Sequence, residues 1–299
     1  MTIRTAQPAD LTALRAVADA ALTLDSGAAA LVDRLAAPPA GRRWTALATG
    51  GLSGDLTGVV FASLSGRDPS VGHIDLLAVH PAAQGAGRGR ALVEAAEEWL
   101  RAEGARMARF AGNPPCYAWP GIDVRYTPAA CLAERLGYTL DTTAWNMTAD
   151  LSTADLSTED DIARLADAKV AVISAPTGER GEVAEFVRRH WNDTWAWEAE
   201  NGTGCHYAVR DGEILGFAAW GSRPAWFGPM GSAPAARGLG IGRVLLRRCL
   251  ADMRTAGLTE AQIGWVGPLR FYSRAVAARA ERVFWLYSRA LGDGPPGGG

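Results

Sequence analysis

Two stretches of this sequence repeat one arrangement of residues suited to holding an anion. The first reads Val79-His80-Pro81-Ala82-Ala83-Gln84-Gly85-Ala86-Gly87-Arg88-Gly89-Arg90, and the second reads Ser232-Ala233-Pro234-Ala235-Ala236-Arg237-Gly238-Leu239-Gly240-Ile241-Gly242-Arg243. Each has Gln or Arg, two spacers, Gly, one spacer and Gly, and each follows a strand-like run and opens an apolar helix. The first N–H groups of a helix have no partner within it, and the helix dipole adds positive charge at that end. Together they bind phosphate without a charged side chain. Glycine lets the main chain approach a ligand and take positive φ, which suits Gly87 with Gly89 and Gly240 with Gly242. Arg88, Arg90 and Arg243 can add charge beside phosphate oxygens.

Other glycine motifs fit less well. A dinucleotide-binding turn wants G-x-G-x-x-G, and a P-loop wants Gly-Lys-Ser/Thr after four spacers; neither copy supplies either. A single copy is equally readable as a glycine-rich turn without a ligand. The recurrence in matching context favours binding. Apolar residues at helical spacing follow each turn, in Ala91–Leu100 and in Val244–Leu250, with Gly104 and Gly257 as stops. Short apolar strands come next, Met107–Phe110 and Ala261–Val266.

At 299 residues the chain has room for two ordinary domains. Its net charge of -2 makes no electrostatic case for nucleic acid or an acidic membrane. Four scattered cysteines form no metal or disulfide pattern and read as buried small apolar residues. No metal site is expected. With no membrane-spanning run and no basic, apolar leader, a soluble cytoplasmic protein is expected, as monomer or homodimer.

The distance from Gln84 to Arg237 is about half the chain, which indicates duplicated domains and not a solenoid. In the first half, a strand at Ile3–Ala6 precedes a helix from Leu11 to about Ala21, with Asp10 as its cap. Strands at 44–48 and 57–62 pair, and the strand 73–79 runs into the glycine turn. In the second half, strands at 205–209 and 214–220 flank Asp211-Gly212, a strong hairpin signal. The strand 226–230, the turn, a helix, a strand, a short helix and a last strand at 282–287 follow. The stretch from Glu159 to Glu200 reads as mostly helical. The domains are set at 1–150 and 151–290, with a disordered Pro/Gly-rich tail at 291–299.

This order of elements, with the duplicated Gln/Arg-x-x-Gly-x-Gly turn, resembles the GNAT superfamily of acyl-CoA N-acyltransferases. The likeness covers both halves. It implies a mixed α/β fold of two GNAT-like domains, each a mixed sheet splayed open in the middle and flanked by helices. The co-substrate would be acetyl-CoA or another acyl-CoA, its pantetheine arm in the split and its diphosphate on the turn. By position, residues around Ala78-Val79 and Gly231-Ser232 would offer a main-chain N–H to the thioester oxygen. The binding turns would be Gln84, Gly85, Ala86, Gly87, Arg88 and Gly89 in one half. In the other they would be Arg237, Gly238, Leu239, Gly240, Ile241 and Gly242.

In many members a Tyr protonates the departing thiolate. Phe271-Tyr272-Ser273-Arg274 resembles that segment, whereas Ala133 takes the Tyr position in the first half. Conversely, Asn113 ends a strand where many members place Asn near CoA, and Gly267 takes that place in the second half. The resemblance therefore points to Tyr272 as the acid and to the C-terminal domain as the seat of chemistry. The N-terminal domain would be a retained CoA-binding or supporting domain.

Asp75, on the strand before the first turn, is the candidate base, with a satisfied strand residue as the plainer reading. The strand 226–230 carries no acid; His190, Asp193 or Glu198 could serve there through water, or belong to an aromatic-rich helix. The Pro-rich linker from Asn113 to Tyr126 holds Tyr117, Trp119 and Asp123. It would line an acceptor or interdomain pocket, or serve as a packing loop. Trp220, Trp226 and Trp265 could wall such a pocket but suit core packing. The expected reaction is acyl transfer to the amine of a small molecule, with a catalytically silent acyl-CoA-binding protein as the alternative.

Overall fold

The sheet strands alternate the side chains they send to each face, and helices cover both faces, so the apolar residues sort into separate cores. The computed structural model describes residues 2–25, 27–50, 55–223 and 225–292. The tail that the sequence marks as disordered lies outside them from 293 onward. The chain forms two compact units, Met1–Ala144 with Phe284–Gly299, and Trp145–Val283. Its last strand therefore begins in the second unit and ends in the first.

The first unit contains β1 (Ile3–Thr5), α1 (Leu11–Ala21), α2 (Ala28–Ala36), β2 (Trp44–Gly50), β3 (Leu56–Leu64) and β4 (Val71–Val79). It continues with α3 (Arg88–Ala102), β5 (Met107–Phe110), β6 (Ile122–Asp123), α4 (Thr127–Arg135) and the start of β7 (Thr139–Asp150). Strands β1 to β5 lie in sequence order. Tyr287–Ala290 of the last strand pairs antiparallel with β5. On β3, Val59 and Phe61 face the α1–α2 core, while Val60, Ala62 and Leu64 face the α3–α4 core. Asp10 does not cap α1 through its side chain; its carboxylate accepts from the Gln7 amide at 2.7 Å and from Arg4.

Two features of β4 shape the site. It pairs parallel with β5 only over Val71–His73, so the strands part from Ile74 onward. Its register to β3 slips between Phe61↔Leu76 and Ala62↔Ile74, which leaves Asp75 as the extra residue of a β-bulge. Bulges re-aim side chains and recur beside functional sites. At the closed end, a Cβ on Gly72 would stand 2.3 Å from Leu100 Cδ2, so α3 packs directly on the strand's backbone there.

The second unit takes the rest of β7, α5 (Glu159–Asp167), β8 (Ala171–Ser174), α6 (Gly181–His190), α7 (Asp193–Asn201), β9 (Gly204–Arg210) and β10 (Glu213–Trp220). Then come β11 (Trp226–Ser232), α8 (Ile241–Thr255), β12 (Glu260–Ile263), α9 (Leu269–Val276) and the start of β13 (Arg279–Ala290). Its sheet order is β7-β12-β11-β10-β9-β8. The parallel β11–β12 pairing covers only Trp226 and Phe227, so this sheet is splayed as well. The β10–β11 register slips at Gly228-Pro229, where no acid is present.

Asp211 (φ 52°) and Gly212 (φ 82°) make the expected hairpin turn, in which both central residues take positive φ. The stretch 159–200 is mostly helical, in α5, α6 and α7, with the short strand β8 between them. Cys116, Cys205 and Cys249 are buried, whereas Cys131 is exposed. Among the described residues no helix is long and apolar enough to cross a membrane.

Candidate active site

The first glycine turn is an open backbone cradle. A single 3-10 turn at Pro81–Ala83 leads from β4, and Gln84 Nε2 donates to the Val79 carbonyl at 2.9 Å. Gly85 (φ 76°) and Gly87 (φ 77°) are left-handed, and a Cβ at either would meet nothing within 4 Å. Side chains there would be strained and would project over the turn. The first helical bond of α3 runs from the Ala91 amide to the Gly87 carbonyl at 3.1 Å, so the Arg88, Gly89 and Arg90 amides precede the ladder. Gly89 is small because α4 lies close, a Cβ there standing 3.1 Å from Leu132 Cδ2.

The turn opens into a cleft of about 1000 Å³, which also takes in the splayed segment Ile74–Val79. Of the residues expected at the co-substrate, Ala78, Val79, Gln84, Gly85, Gly87, Arg88 and Gly89 line this cleft, and Ala86 is not among its lining residues. A bound acyl-CoA fits these parts: amides and arginines for a diphosphate, and a split between β4 and β5 for a narrow arm.

Asp75 also lines the cleft, although its side chain is almost wholly buried. Its Oδ2 accepts from Ser63 Oγ at 2.5 Å, and its Oδ1 lies 3.3 Å from Arg42 Nη2. Ser63 Oγ itself accepts from Arg42 Nη2 at 2.8 Å and from Asn113 Nδ2 at 2.9 Å. With both its lone pairs taken, the hydroxyl has only its proton left, and that proton goes to Asp75. Burial pushes the Asp75 carboxyl up to about 7, against the opposing pull of Arg42 and then Ser63.

The family resemblance puts Asn113 beside the co-substrate. That residue is buried and spends its amide group on Ser63 Oγ and the Leu64 carbonyl, so it supports Asp75 and is not among the residues lining the cleft. His73, two residues before Asp75, is buried with Nδ1 at 2.9 Å from the Ala111 carbonyl, and burial lowers its pKa to about 4.

The far wall of the cleft comes from the linker and the loop after α1. Trp119 and Asp123 are among its lining residues. Tyr117 is not among the lining residues; it packs under Gly112, whose Cβ would come 2.6 Å from the ring. Asp123 is buried beneath Arg125, whose Nε and Nη2 grip it at 3.0 Å and 2.8 Å. Tyr126 Oη donates to Asp25 at 2.8 Å and accepts from the Leu24 amide at 3.0 Å, joining the linker to the 22–25 loop. Sequence reasoning missed Arg42, Ser63 and this loop. The fold brings Arg42 and Ser63 to Asp75 and the loop at Leu22–Leu24 to the cleft wall, and none of them carries a motif.

In the second unit, Gly238 (φ 82°) and Gly240 (φ 77°) repeat the turn's backbone. Its surroundings differ. A Cβ on Gly240 would stand 2.6 Å from Arg164 Nη2, and one on Gly231 would stand 2.3 Å from the Trp191 ring. Tyr272 is a core residue of this unit, edge-on to Phe227 and Phe271, and burial pushes its hydroxyl up to about 12. His190 Nδ1 lies 2.9 Å from the Phe186 carbonyl, and Asp193 pairs with Arg188.

The sequence matches the acetyltransferase (GNAT) family over residues 17–118 and again over 172–280. It is 30% identical over 232 residues to mycothiol acetyltransferase of Streptomyces avermitilis, across 71% of this chain and 69% of that protein. The fold is similar to that of a tandem GNAT protein from the clavulanic acid biosynthesis pathway, with TM-score 0.74, 17% identity, and 98% and 99% of the two chains covered. It is also similar to a glucosamine N-acetyltransferase region of a fungal multi-domain β-N-acetylglucosaminidase, with TM-score 0.78 and 21% identity. That match covers 96% of this chain and 38% of the fungal one. At these identities the solved structures support the fold alone.

Proposed function

Since the chain belongs to the acetyltransferase (GNAT) family and is an acyltransferase, with two copies of the fold, we propose that it moves the acyl group of acetyl-CoA, or of another acyl-CoA, to the amine of a small molecule. We place the reaction in the cleft of the first unit. The observation that carries this reading is the convergence, in one cleft, of an open glycine turn, a splayed strand end and a buried carboxyl with its pKa near 7.

When bound, the co-substrate supplies an activated acyl carbon. The chain supplies position and proton traffic. The Arg88–Arg90 amides and the arginine side chains hold the diphosphate. The main chain around Ala78-Val79 donates to the acyl oxygen as charge grows there. Asp75 takes the proton from the attacking amine, directly or through one water. One bond forms, amine nitrogen to acyl carbon, and one breaks, acyl carbon to sulfur. The shed proton passes through Asp75 and ends on the thiolate or in water.

Tyr272 takes no part in this scheme. Its core position and the side chains over the second turn favour the first unit, against the expectation drawn from the family's Tyr segment. A thiol-release assay across a panel of small amines tests the proposal. Release that depends on the amine supports it; acetyl-CoA binding without release on any amine favours the silent binding protein.

A further inference from the structure

We infer that the second glycine turn is a latched joint, filled by this chain's own side chains, and that each chain therefore takes one acyl-CoA, on the first turn. The inference rests on the proposed reading of the first turn as the diphosphate site. The two turns share a backbone: the glycines before each helix have φ of 76° and 77° in one, and 82° and 77° in the other. What differs is what lies over the second glycine of each pair, since a Cβ on Gly238, like one on Gly85, would meet nothing within 4 Å.

At the first turn nothing comes within 4 Å of a Cβ placed on Gly85 or Gly87. At the second, the Arg164 guanidinium of α5 rests on Gly240, and its Nη1 donates to the Leu239 carbonyl at 2.8 Å. Asp161, one turn earlier on α5, accepts from Arg164 Nη2 at 3.2 Å and from Arg243 Nη2 at 2.5 Å on the same oxygen. Arg243 lies in the first turn of α8, where an incoming diphosphate would look for it. Its charge is already answered by a carboxylate that is only 9% exposed. Burial raises the Asp161 pKa, but the bonds from Arg243 and Arg164 outweigh that and hold it below the usual carboxylate value.

The latch extends along α8. Four residues after Arg243, Arg247 donates to the Ser157 carbonyl at 2.9 Å and pairs with Asp155 at 3.2 Å. The first turn of α5 and the chain leading into it are thus tied to α8 at two successive turns.

A separate observation concerns the strand end before the second turn. A Cβ on Gly231 would collide with the Trp191 ring at 2.3 Å, so the indole lies against the strand end that would meet the acyl group. The matching strand end in the first unit, Ala78-Val79, lines the open cleft.

Isothermal titration of the full chain with acetyl-CoA reads this directly. The wild type should bind one equivalent, and Gly87→Val should weaken that binding at least about tenfold with no second event remaining. Arg88→Glu, which places a repelling charge at the same turn without adding a side chain to a left-handed glycine, should do the same. Asp161→Asn with Arg164→Gln should leave the first event in place and raise the stoichiometry above one. Two equivalents in the wild type, or one equivalent that survives both first-turn variants, would overturn the inference while leaving acyl-CoA binding intact. No heat in any form would instead remove the proposed function, and this inference with it.

Discussion

Replacing Asp75 with Asn separates the proposed chemistry from structure most cleanly. The amide keeps the shape and the bond from Ser63 but cannot take a proton at neutral pH. With the carboxyl near 7, about a tenth of it is ionised at pH 6 and about nine-tenths at pH 8, so kcat/KM should rise about tenfold over that range. Asp75→Asn should flatten this profile and lower kcat/KM by roughly 10²- to 10⁴-fold, the usual contribution of a general base. Initial rates of thiol release from pH 5.5 to 8.5, for both forms, supply the comparison.

Stability should move in the opposite direction to activity. The folded value lies above the ordinary 3.8, so the folded state holds the proton more tightly than the unfolded chain does. The wild type should therefore lose stability relative to Asp75→Asn as pH climbs from about 4 through 7, by roughly 4 kcal/mol at most. Urea midpoints at both ends of that range measure it. A variant that keeps the wild-type rate and the wild-type pH profile would refute Asp75 as the base.

Ser63→Ala removes a bond that holds the carboxylate form, so the midpoint of the activity profile should shift above 7 with folding intact; an unmoved midpoint would show that Ser63 does not tune Asp75. Tyr272→Phe should leave thiol release within about twofold, because the ring's packing survives and the hydroxyl has no place in the chemistry; a fall of a hundredfold or more would return the acid role to it. Gly72→Ala should destabilise by about 1–3 kcal/mol in urea melts, since the methyl would overlap Leu100, and an unchanged midpoint would mean that α3 moves aside freely.

Local signals in the sequence carried much of the fold. The Asp211-Gly212 turn, both glycine turns and the strands that feed them follow from the residues at those positions, because turn chemistry and helix starts depend on neighbours a few places away. Strand β8 was readable too: Val170, Val172 and Ile173 before Pro176 have strand character that the helical reading of the region passed over. The bulge was not legible, since it exists only in the register between β3 and β4. Nor was the Asp75 network, in which Arg42 and Asn113 arrive from loops 33 and 38 residues away with nothing in their local sequence to announce them. The same limit hid the difference between the turns. Their glycines are alike, and what sets them apart is Arg164, which reaches Leu239 across 75 residues.

The account stands on acyl-CoA lying across the first turn. A crystal grown with acetyl-CoA shows this most directly. The expected density puts the diphosphate about 3 Å from the Arg88–Arg90 amide nitrogens and the thioester in the split beside Asp75. Density at the Gly240 turn with the first cleft empty would contradict it.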